Sequence, residues 1–259
     1  MTSAGASVSS PARSSIVAVI LLNIFFWSAV PVVTFLFLLI GIPYVSSFLL
    51  VTRSRRKTKW VIRRSISNYG TAVLRCAWPW VRVDYVDYSP DDAPPFVFVS
   101  NHRSSSDAFL MACLPYECIQ VLNNWPSKLP VVGPVSKLAE YLQIRKMTSE
   151  AFMIAGMRLL AKGVSIITFP EGTRSGSRRL GPFHGSAFRL AQQAGANIVP
   201  LAISGNENIP KRGSIILHPG RIVVAKLPAV RPGQIQDLNA YKLKNLVRDR
   251  IRQHLDSQI

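Results

Sequence analysis

The stretch NHRSSSD places a histidine, His102, and an aspartate, Asp107, between the apolar runs PFVFVS and AFLMACL. A neutral histidine is the usual general base near pH 7, and a carboxylate at its second ring nitrogen fixes the tautomer and stabilises the imidazolium. The apolar runs predict a buried strand followed by a short helix, so the chain can fold back and bring Asp107 to the ring. The pair is therefore a candidate base with its orienting group; a structural histidine beside a helix N-cap is the alternative.

A second stretch with reactive side chains is FPEGTRS, residues 169–175, which follows the apolar run GVSIITF. Pro170 and Gly172 favour a tight turn, and Glu171 contributes a carboxylate. The guanidinium of Arg174 is a planar fork of donors that suits phosphate. Ligands of α/β sheets bind at the ends of strands, so this turn is a candidate anion site, with a plain surface turn as the alternative.

The serines and cysteines indicate less chemistry. Ser104, Ser105 and Ser106 raise a serine hydrolase as an alternative, but the sequence has no G-x-S-x-G turn, and residues this close cannot easily reach one imidazole. We interpret these serines as turn and capping residues. The three cysteines lack C-x-x-C spacing and do not cluster with the four histidines, so we expect neither a disulfide framework nor a metal site, and a reducing compartment fits.

Together the two stretches resemble the glycerolipid acyltransferase family, in particular its 1-acyl-sn-glycerol-3-phosphate acyltransferases, over about residues 75–230. His102 and Asp107 match the His-x4-Asp block of that family, and residues 169–175 match its third block without a departure. The second block is similar at Lys128, Pro130, Gly133 and Arg145, and the fourth at Ile198, Val199, Pro200 and Leu201.

The resemblance implies acyl transfer without a covalent acyl-enzyme. His102 would take the proton from the free hydroxyl of a lysophosphatidate while that oxygen attacks an acyl thioester, and Asp107 would orient the ring. Backbone N–H groups around Gly172 would stabilise the oxyanion. No cofactor or metal is implied; acyl-CoA or acyl-acyl carrier protein is the co-substrate. Glycerol 3-phosphate or another lysolipid as acceptor, and a thioester hydrolase, stay open as alternatives.

The resemblance also implies which residues bind the substrate. Arg174 and Arg145 are expected at the phosphate of the acceptor, and Glu171 either at the glycerol or as a brace of its loop. Two positions depart from the family pattern: Glu140 stands where glycine is usual, which leaves the alignment around Arg145 open, and His184 stands where lysine is usual. The implied set is Lys128, Arg145, Glu171, Gly172, Thr173 and Arg174.

The elements that position these residues begin with an apolar segment. Residues 1–15 are small and polar, which predicts disorder. Residues 16–51 are 36 positions without a charge, too long for the apolar part of a signal peptide. One helix of that length would measure about 54 Å against about 30 Å of hydrocarbon. Pro31 and the Gly41–Pro43 step therefore predict a hairpin of membrane-embedded helices that spans twice or dips into one leaflet, with one tilted span as the alternative.

Basic residues follow this segment. The chain has a net charge of +18, no acid precedes Asp84, and residues 52–64 carry seven Lys and Arg. Next to an apolar segment this favours anionic membrane lipids over nucleic acid as the polyanionic partner, and a cytoplasmic location. We predict a basic amphipathic helix at the membrane surface over residues 52–78, with a charged linker as the alternative. Its apolar face would consist of Ile62, Ile66, Tyr69, Val73 and Ala77.

Residues 79–259 alternate short apolar runs with helical patterns, which predicts one α/β catalytic domain with a mixed, mainly parallel sheet covered by helices. SIILHPG and RIVVAKL are expected to form a terminal hairpin, and Asp237 to cap the last helix. From a different class, a non-catalytic basic membrane-surface protein is the alternative function. The sequence gives no oligomeric state.

Overall fold

The computed structural model describes residues 15–90, 92–123, 131–175, 179–236 and 238–258. The strands are β1 (Val81–Asp87), β2 (Phe96–Ser100), β3 (Cys118–Leu122), β4 (Leu142–Gln143), β5 (Ser165–Thr168), β6 (Asn197–Ser204) and β7 (Gly220–Lys226). The helices are α1 (Ile16–Thr52), α2 (Arg55–Arg75), α3 (Asp107–Ala112), α4 (Val132–Leu138), α5 (Ser149–Ala161), α6 (Ser186–Ala194), α7 (Pro232–Gln236) and α8 (Ala240–Asp256), with a 3-10 turn at Ile144–Lys146.

The strands form one mixed sheet in the order β1-β7-β6-β2-β5-β3-β4. The five strands from β6 to β4 pair in parallel, β7 is antiparallel to β6, and β1 is parallel to β7. Every residue of β2 and β5 is buried, because helices cover both faces of a central parallel sheet. The predicted α/β class with a mainly parallel sheet is confirmed.

The alternation of side chains along β2 divides the core into two layers. Val97 and Val99 belong to a cluster with apolar residues of α5, α6 and α8. Phe96 and Phe98 point to the other face and belong to a cluster with residues of α1 and α3. The two sequence motifs, residues 101–107 and 169–175, lie at the edge of the sheet between these layers, where the parallel strands end.

Two local predictions in the C-terminal half are wrong or untested. Residues 214–219 form no strand; β7 pairs with β6 and β1 instead, and Leu217 bonds through its backbone to Asn23 of α1. The expected hairpin around Pro219–Gly220 is therefore absent from this described stretch. The predicted cap Asp237 lies outside the described residues, and the side chain of Asn239 caps α8 by accepting the Lys242 N–H at 2.8 Å.

The predicted hairpin within residues 16–51 is wrong, because the apolar segment is one helix. α1 includes Pro31 and Pro43. A proline inside a helix costs about 3 kcal/mol, which is less than the cost of leaving several turns of backbone without hydrogen bonds in an apolar environment. The chain reverses at Arg53, whose φ is 49°, and the hydroxyls of Thr34 and Tyr69 then meet at 2.8 Å between α1 and α2.

α1 is long and apolar enough to cross a membrane, with a mean hydropathy of 2.5 in its most apolar stretch. Large apolar side chains remain exposed along it from Ile16 to Val51. An exposed apolar surface of this extent is typical of proteins in contact with lipid. The helix therefore indicates membrane association.

The apolar face predicted for residues 52–78 packs on the protein itself, along α2 and the turn that follows it. Ile62, Val73 and Ala77 are buried, and the ring of Tyr69 lies 6.5 Å from that of Phe109 in α3. Exposed basic residues remain at the start of the helix, at Arg55, Arg56 and Lys57. α2 is thus both an inner element of the fold and a carrier of surface charge.

An ion-pair network fixes α2 to the sheet domain. The buried guanidinium of Arg63 donates to Glu117 at 2.7 Å, to Glu140 at 2.8 Å and to the carbonyl of Ala139 at 3.0 Å. Lys59 donates to the second oxygen of Glu140 at 2.6 Å. Burial alone would raise the pKa of the Glu140 carboxyl, but the hydrogen bond and charge of Lys59 and the charge of Arg63 hold that pKa below its usual range.

The backbone at Glu140 agrees with the expectation from sequence that glycine is usual at this position. Its φ is 62°, in the left-handed region that costs a residue with a Cβ about 1–2 kcal/mol. The carboxylate of Glu140 pairs with Lys59 and Arg63, and these ion pairs stabilise the glutamate at its strained backbone position. The ion pairs therefore offset the strain.

We expect Glu140→Gly to lower the free energy of unfolding by about 2 kcal/mol, because it leaves the buried Arg63 with one carboxylate fewer. Glu140→Ala should lower it by about 1 kcal/mol more, because alanine loses the ion pairs and keeps the strained φ. Urea unfolding in detergent micelles, followed by circular dichroism, measures both values. Glu150→Ala, at an exposed glutamate of α5, is the control. Equal stability of the glycine and alanine variants would contradict the strain argument.

Candidate active site

The register of the parallel strands brings the two motifs together. Val99 of β2 lies opposite Thr168 of β5, so the residues that follow these two strands leave the sheet side by side. The His102 N–H consequently donates to Oε1 of Glu171 at 2.8 Å. The ring of Phe169 stacks on the imidazole of His102 with centroids 4.4 Å apart. Strand pairing alone therefore places the candidate base against the FPEGTRS loop.

β6 extends beyond the end of β2 and hydrogen-bonds to Asn101, the residue that follows β2. The buried amide of Asn101 donates to the carbonyl of Ile203 at 2.9 Å and accepts the N–H of the same residue at 2.8 Å. This pair of bonds satisfies the backbone of Ile203 where β2 no longer supplies partners. It also fixes the direction in which His102 leaves the strand.

His102 and Asp107 are in contact as predicted from their spacing. Nδ1 of His102 lies 2.7 Å from Oδ2 of Asp107, which is fully buried at the first residue of α3. The same oxygen accepts the N–H groups of Arg103 at 2.7 Å and Ser104 at 3.0 Å, and the other accepts from the side chain of Asn206. With Nδ1 directed at the carboxylate, Nε2 is the ring nitrogen that faces a reactant.

The serines between His102 and Asp107 take structural positions. The Ser104 hydroxyl is buried within 2.9 Å of the carbonyl oxygens of both Ile209 and Pro210. Ser106 precedes α3. The hydroxyl of Ser104 thus bonds to backbone carbonyls of the segment after β6 and supports the turn into α3.

Glu171 accepts two backbone donors. Its Oε1 receives the His102 N–H, and its Oε2 receives the Gly181 N–H at 2.8 Å. Burial raises the pKa of the Glu171 carboxyl above its usual value, and these two hydrogen bonds only partly oppose that effect. The side chain thus connects the candidate base to the segment that leads into α6.

Gly172 occupies a turn that only glycine adopts readily, with φ at 69°. A Cβ there would stand 3.2 Å from Nε2 of His184. The Gly172 N–H donates to the carbonyl of Phe169 at 3.0 Å, so it is not available for an oxyanion. The next N–H, of Thr173, has no acceptor in the described part of the chain and is the better candidate.

The cationic side chains of the predicted substrate set are at different places on the sheet edge. Arg174 is half-buried at the end of the FPEGTRS loop, whereas Arg145 is exposed in the 3-10 turn after β4. β4 is separated from β5 by β3, so Arg145 comes from the outer part of the same edge. Lys128 and Pro130 of the second block lie outside the described residues.

Sequence reasoning missed the segment between β6 and β7, residues 205–219, which we call the β6–β7 loop. Its Asn206 donates to Asp107, and its Glu207 pairs with the buried Arg103. Arg212 donates to the carbonyl of Arg174 at 2.7 Å. No pattern in the sequence indicates these contacts, because they join residues far apart in the chain through single side chains.

The described residues contain no group of three or more His, Cys, Asp or Glu that could hold a metal ion. What the arrangement does contain is a half-exposed imidazole oriented by a buried carboxyl group, next to a loop that ends in a guanidinium. It can remove a proton from a hydroxyl group and bind an anion beside it.

We expect the stability of the protein to depend on pH through Glu171. Because burial raises the pKa of the Glu171 carboxyl above its usual value in the folded state, the stability contributed by the bound proton is present below the unfolded pKa. It is lost as pH rises through the folded pKa. Relative to Glu171→Gln, wild-type protein should therefore lose stability as pH increases from about 4.5 toward 7.

Unfolding in detergent micelles at a series of pH values measures this difference. Glu150→Gln at an exposed position is the matched control and should show no such trend. A difference between wild type and Glu171→Gln that stays constant or grows with pH would contradict the inference.

Comparison with known proteins places these motifs in a family. Residues 81–204 match the family model described as Acyltransferase. The chain is 31% identical over 206 residues to the chloroplastic 1-acyl-sn-glycerol-3-phosphate acyltransferase BAT2 of Brassica napus, covering 75% of this chain and 56% of that protein. It is 30% identical over 230 residues to the chloroplastic LPAT1 of Arabidopsis thaliana, covering 86% and 61%. The chain therefore spans little more than half the length of these relatives.

A solved structure has the same fold. The crystal structure of the 1-acyl-sn-glycerophosphate (LPA) acyltransferase PlsC from Thermotoga maritima superposes with a TM-score of 0.74, covering 93% of this chain and 95% of that one at 20% identity. The His-x4-Asp and FPEGTRS motifs, the family match and this fold agree with one another. Residues 81–204 therefore form a domain of the acyltransferase family.

Proposed function

We propose that this protein transfers a fatty acyl group from an acyl thioester to the free sn-2 hydroxyl of lysophosphatidate and so forms phosphatidate. The observation that carries the proposal is the contact of His102 with Asp107 beside the FPEGTRS loop. Relatives with the name 1-acyl-sn-glycerol-3-phosphate acyltransferase support the choice of acceptor. The apolar helix α1 fits substrates that reside in a bilayer.

In the proposed reaction His102 acts through Nε2, because its Nδ1 faces Asp107 at 2.7 Å. Nε2 takes the proton of the acceptor hydroxyl while the hydroxyl oxygen attacks the thioester carbonyl carbon. The tetrahedral intermediate then expels the thiolate, which receives the proton from the imidazolium. An ester forms, a thioester breaks, and the ring is neutral again. Asp107 stabilises the imidazolium during the step and keeps the ring in place.

The acceptor's phosphate is assigned to Arg174, since a guanidinium binds phosphate with two parallel hydrogen bonds. Arg145 and Lys128 are assigned to the same group or to phosphates of the donor. For Glu171 we favour the role of a brace over a contact with glycerol, because both of its oxygens already accept backbone N–H groups. The oxyanion is assigned to the N–H of Thr173, since Gly172 donates to Phe169.

The proposed reaction takes place at the height of the lipid headgroups and needs no metal or cofactor. Acyl-CoA or acyl-acyl carrier protein is the co-substrate, and exposed basic residues at the start of α2 would attract either of these anionic donors as well as anionic lipids. The same residues favour the cytoplasmic face of the membrane.

We expect His102→Ala to lower kcat for phosphatidate formation by about a hundred- to ten-thousand-fold, the usual contribution of a general base. The assay supplies one labelled acyl-CoA and a panel of lysophosphatidate, glycerol 3-phosphate and neutral lysolipids to protein in vesicles. His254→Ala, in α8 with its ring edge-on to that of Tyr88, is the matched control and should keep full activity.

The panel separates the remaining possibilities. Labelling of another acceptor would retain the chemistry and overturn lysophosphatidate as the substrate. Release of free fatty acid without any acceptor would indicate a thioester hydrolase. Unchanged turnover in His102→Ala would refute the assignment of the base. If acyl-CoA gives no product, the same panel is repeated with acyl-acyl carrier protein, and failure of both donors would overturn the proposal.

We expect Arg174→Ala to raise the KM for lysophosphatidate at least tenfold and to change the KM for the acyl donor little, because only the acceptor loses its phosphate contact. Initial rates at varied acceptor and at varied donor measure the two constants. Arg252→Ala, at an exposed arginine of α8, is the matched control. An unaltered acceptor KM would show that the phosphate binds elsewhere.

A further inference from the structure

The β6–β7 loop has contacts with the candidate active site at its beginning. Asn206 donates to Asp107, and Arg212 donates to the carbonyl of Arg174 at 2.7 Å. Asn206 is fully buried, whereas Arg212 is exposed. This half of the loop therefore lies between the candidate site and the surface.

The second half of the loop is attached to the apolar helix. The side chain of Asn23 donates to the carbonyl of Leu217 at 2.8 Å and accepts the N–H of the same residue at 3.0 Å. The indole of Trp27 donates to the carbonyl of Ile215 at 3.2 Å. Leu22 and Leu217 are both buried in the same core cluster. The position of the loop is thus fixed relative to the first half of α1.

The residues next to this attachment are apolar and exposed. Ile215 and Ile216 are 69% and 50% exposed, and on the neighbouring part of α1 Ile24 and Trp27 are 62% and 45% exposed. A contiguous apolar surface of this kind on one face of a protein marks a contact with lipid or with another protein. Here it continues the exposed surface of the helix that indicates membrane association.

The charges preceding the isoleucines favour lipid. Lys211 and Arg212 are exposed, and Gly213, with φ at 81°, turns the chain between them and the apolar pair. Cations followed within one turn by large apolar side chains match the order of layers at a membrane surface, where anionic headgroups lie outside the acyl chains.

We propose that the tip of the β6–β7 loop is a second membrane contact, in which Ile215 and Ile216 insert beside α1 among the acyl chains and Lys211 and Arg212 bind anionic headgroups. The partner is a bilayer that contains anionic phospholipid. Since the same loop bonds to Asp107 and to the backbone of Arg174, insertion of its tip would hold the site at a fixed height relative to the headgroups.

The test places a nitrobenzoxadiazole label at Ile216→Cys in full-length protein in which the native cysteines, Cys76, Cys113 and Cys118, are replaced by alanine. The protein is bound to phosphatidylcholine vesicles with and without phosphatidylglycerol, some carrying a doxyl quencher on the lipid acyl chain. Ile154→Cys is the matched control, since Ile154 is 58% exposed on α5, which packs on the opposite face of the sheet.

We expect at least a twofold rise in emission at position 216 on vesicles with phosphatidylglycerol, quenching by the doxyl lipid, and a smaller change without anionic lipid. The control label should stay in water and be quenched little. Equal, weak signals at 216 and 154 would overturn the proposal. A rise that depends on protein concentration and needs no vesicles would overturn it in favour of a second copy of the chain.

Two precautions keep the result interpretable. Thermal unfolding checks that each labelled protein is folded, and Ile215→Cys replaces Ile216→Cys if the latter is not. The label reports position and not turnover, so the outcome is independent of whether lysophosphatidate is the acceptor.

Discussion

A buried carboxyl group organises this molecule: Asp107 is fully enclosed and must have its oxygens satisfied by donors. Four groups supply them, from His102, the backbone of Arg103 and Ser104, and Asn206. The two backbone donors come from the turn into α3, whereas Asn206 comes from beyond β6. The carboxyl group is therefore satisfied only when the turn, the strand end and the β6–β7 loop are all in place, so the site forms together with the core.

The basic residues after α1 divide into two groups: some pair with buried acids and others stay at the surface. Lys59 and Arg63 turn inward and pair with Glu140, while the residues at the start of α2 stay exposed. A glutamate at a left-handed backbone position is unfavourable by itself, yet here it joins α2 to the sheet domain. The strain at Glu140 is thus compensated by the positive charges of Lys59 and Arg63, which links the stability of the sheet domain to α2.

The sequence predicted what depends on local pattern. Alternating apolar runs indicated the sheet and its helices, and the five-residue separation of His102 and Asp107 indicated their contact. It did not predict that α1 continues through Pro31 and Pro43, because the cost of a proline competes with the backbone hydrogen bonds of an apolar helix. Nor could it indicate Asn206, which meets Asp107 across 99 positions of the chain through a single amide. A contact between two single side chains far apart in the chain leaves no periodic pattern in the sequence.

The antiparallel direction of β7 relative to β6 has a consequence for how the protein can vary. In a strictly parallel sheet the chain would leave the edge where the motifs lie and cross back over one face before the next strand begins. Here the reversal keeps the connection at that edge, where it supplies Asn206 to the carboxyl group of Asp107 and Leu217 to the core. A change in the length of this connection would therefore act on the edge where the two motifs lie and on the attachment to α1, and not on the outer helices of the sheet.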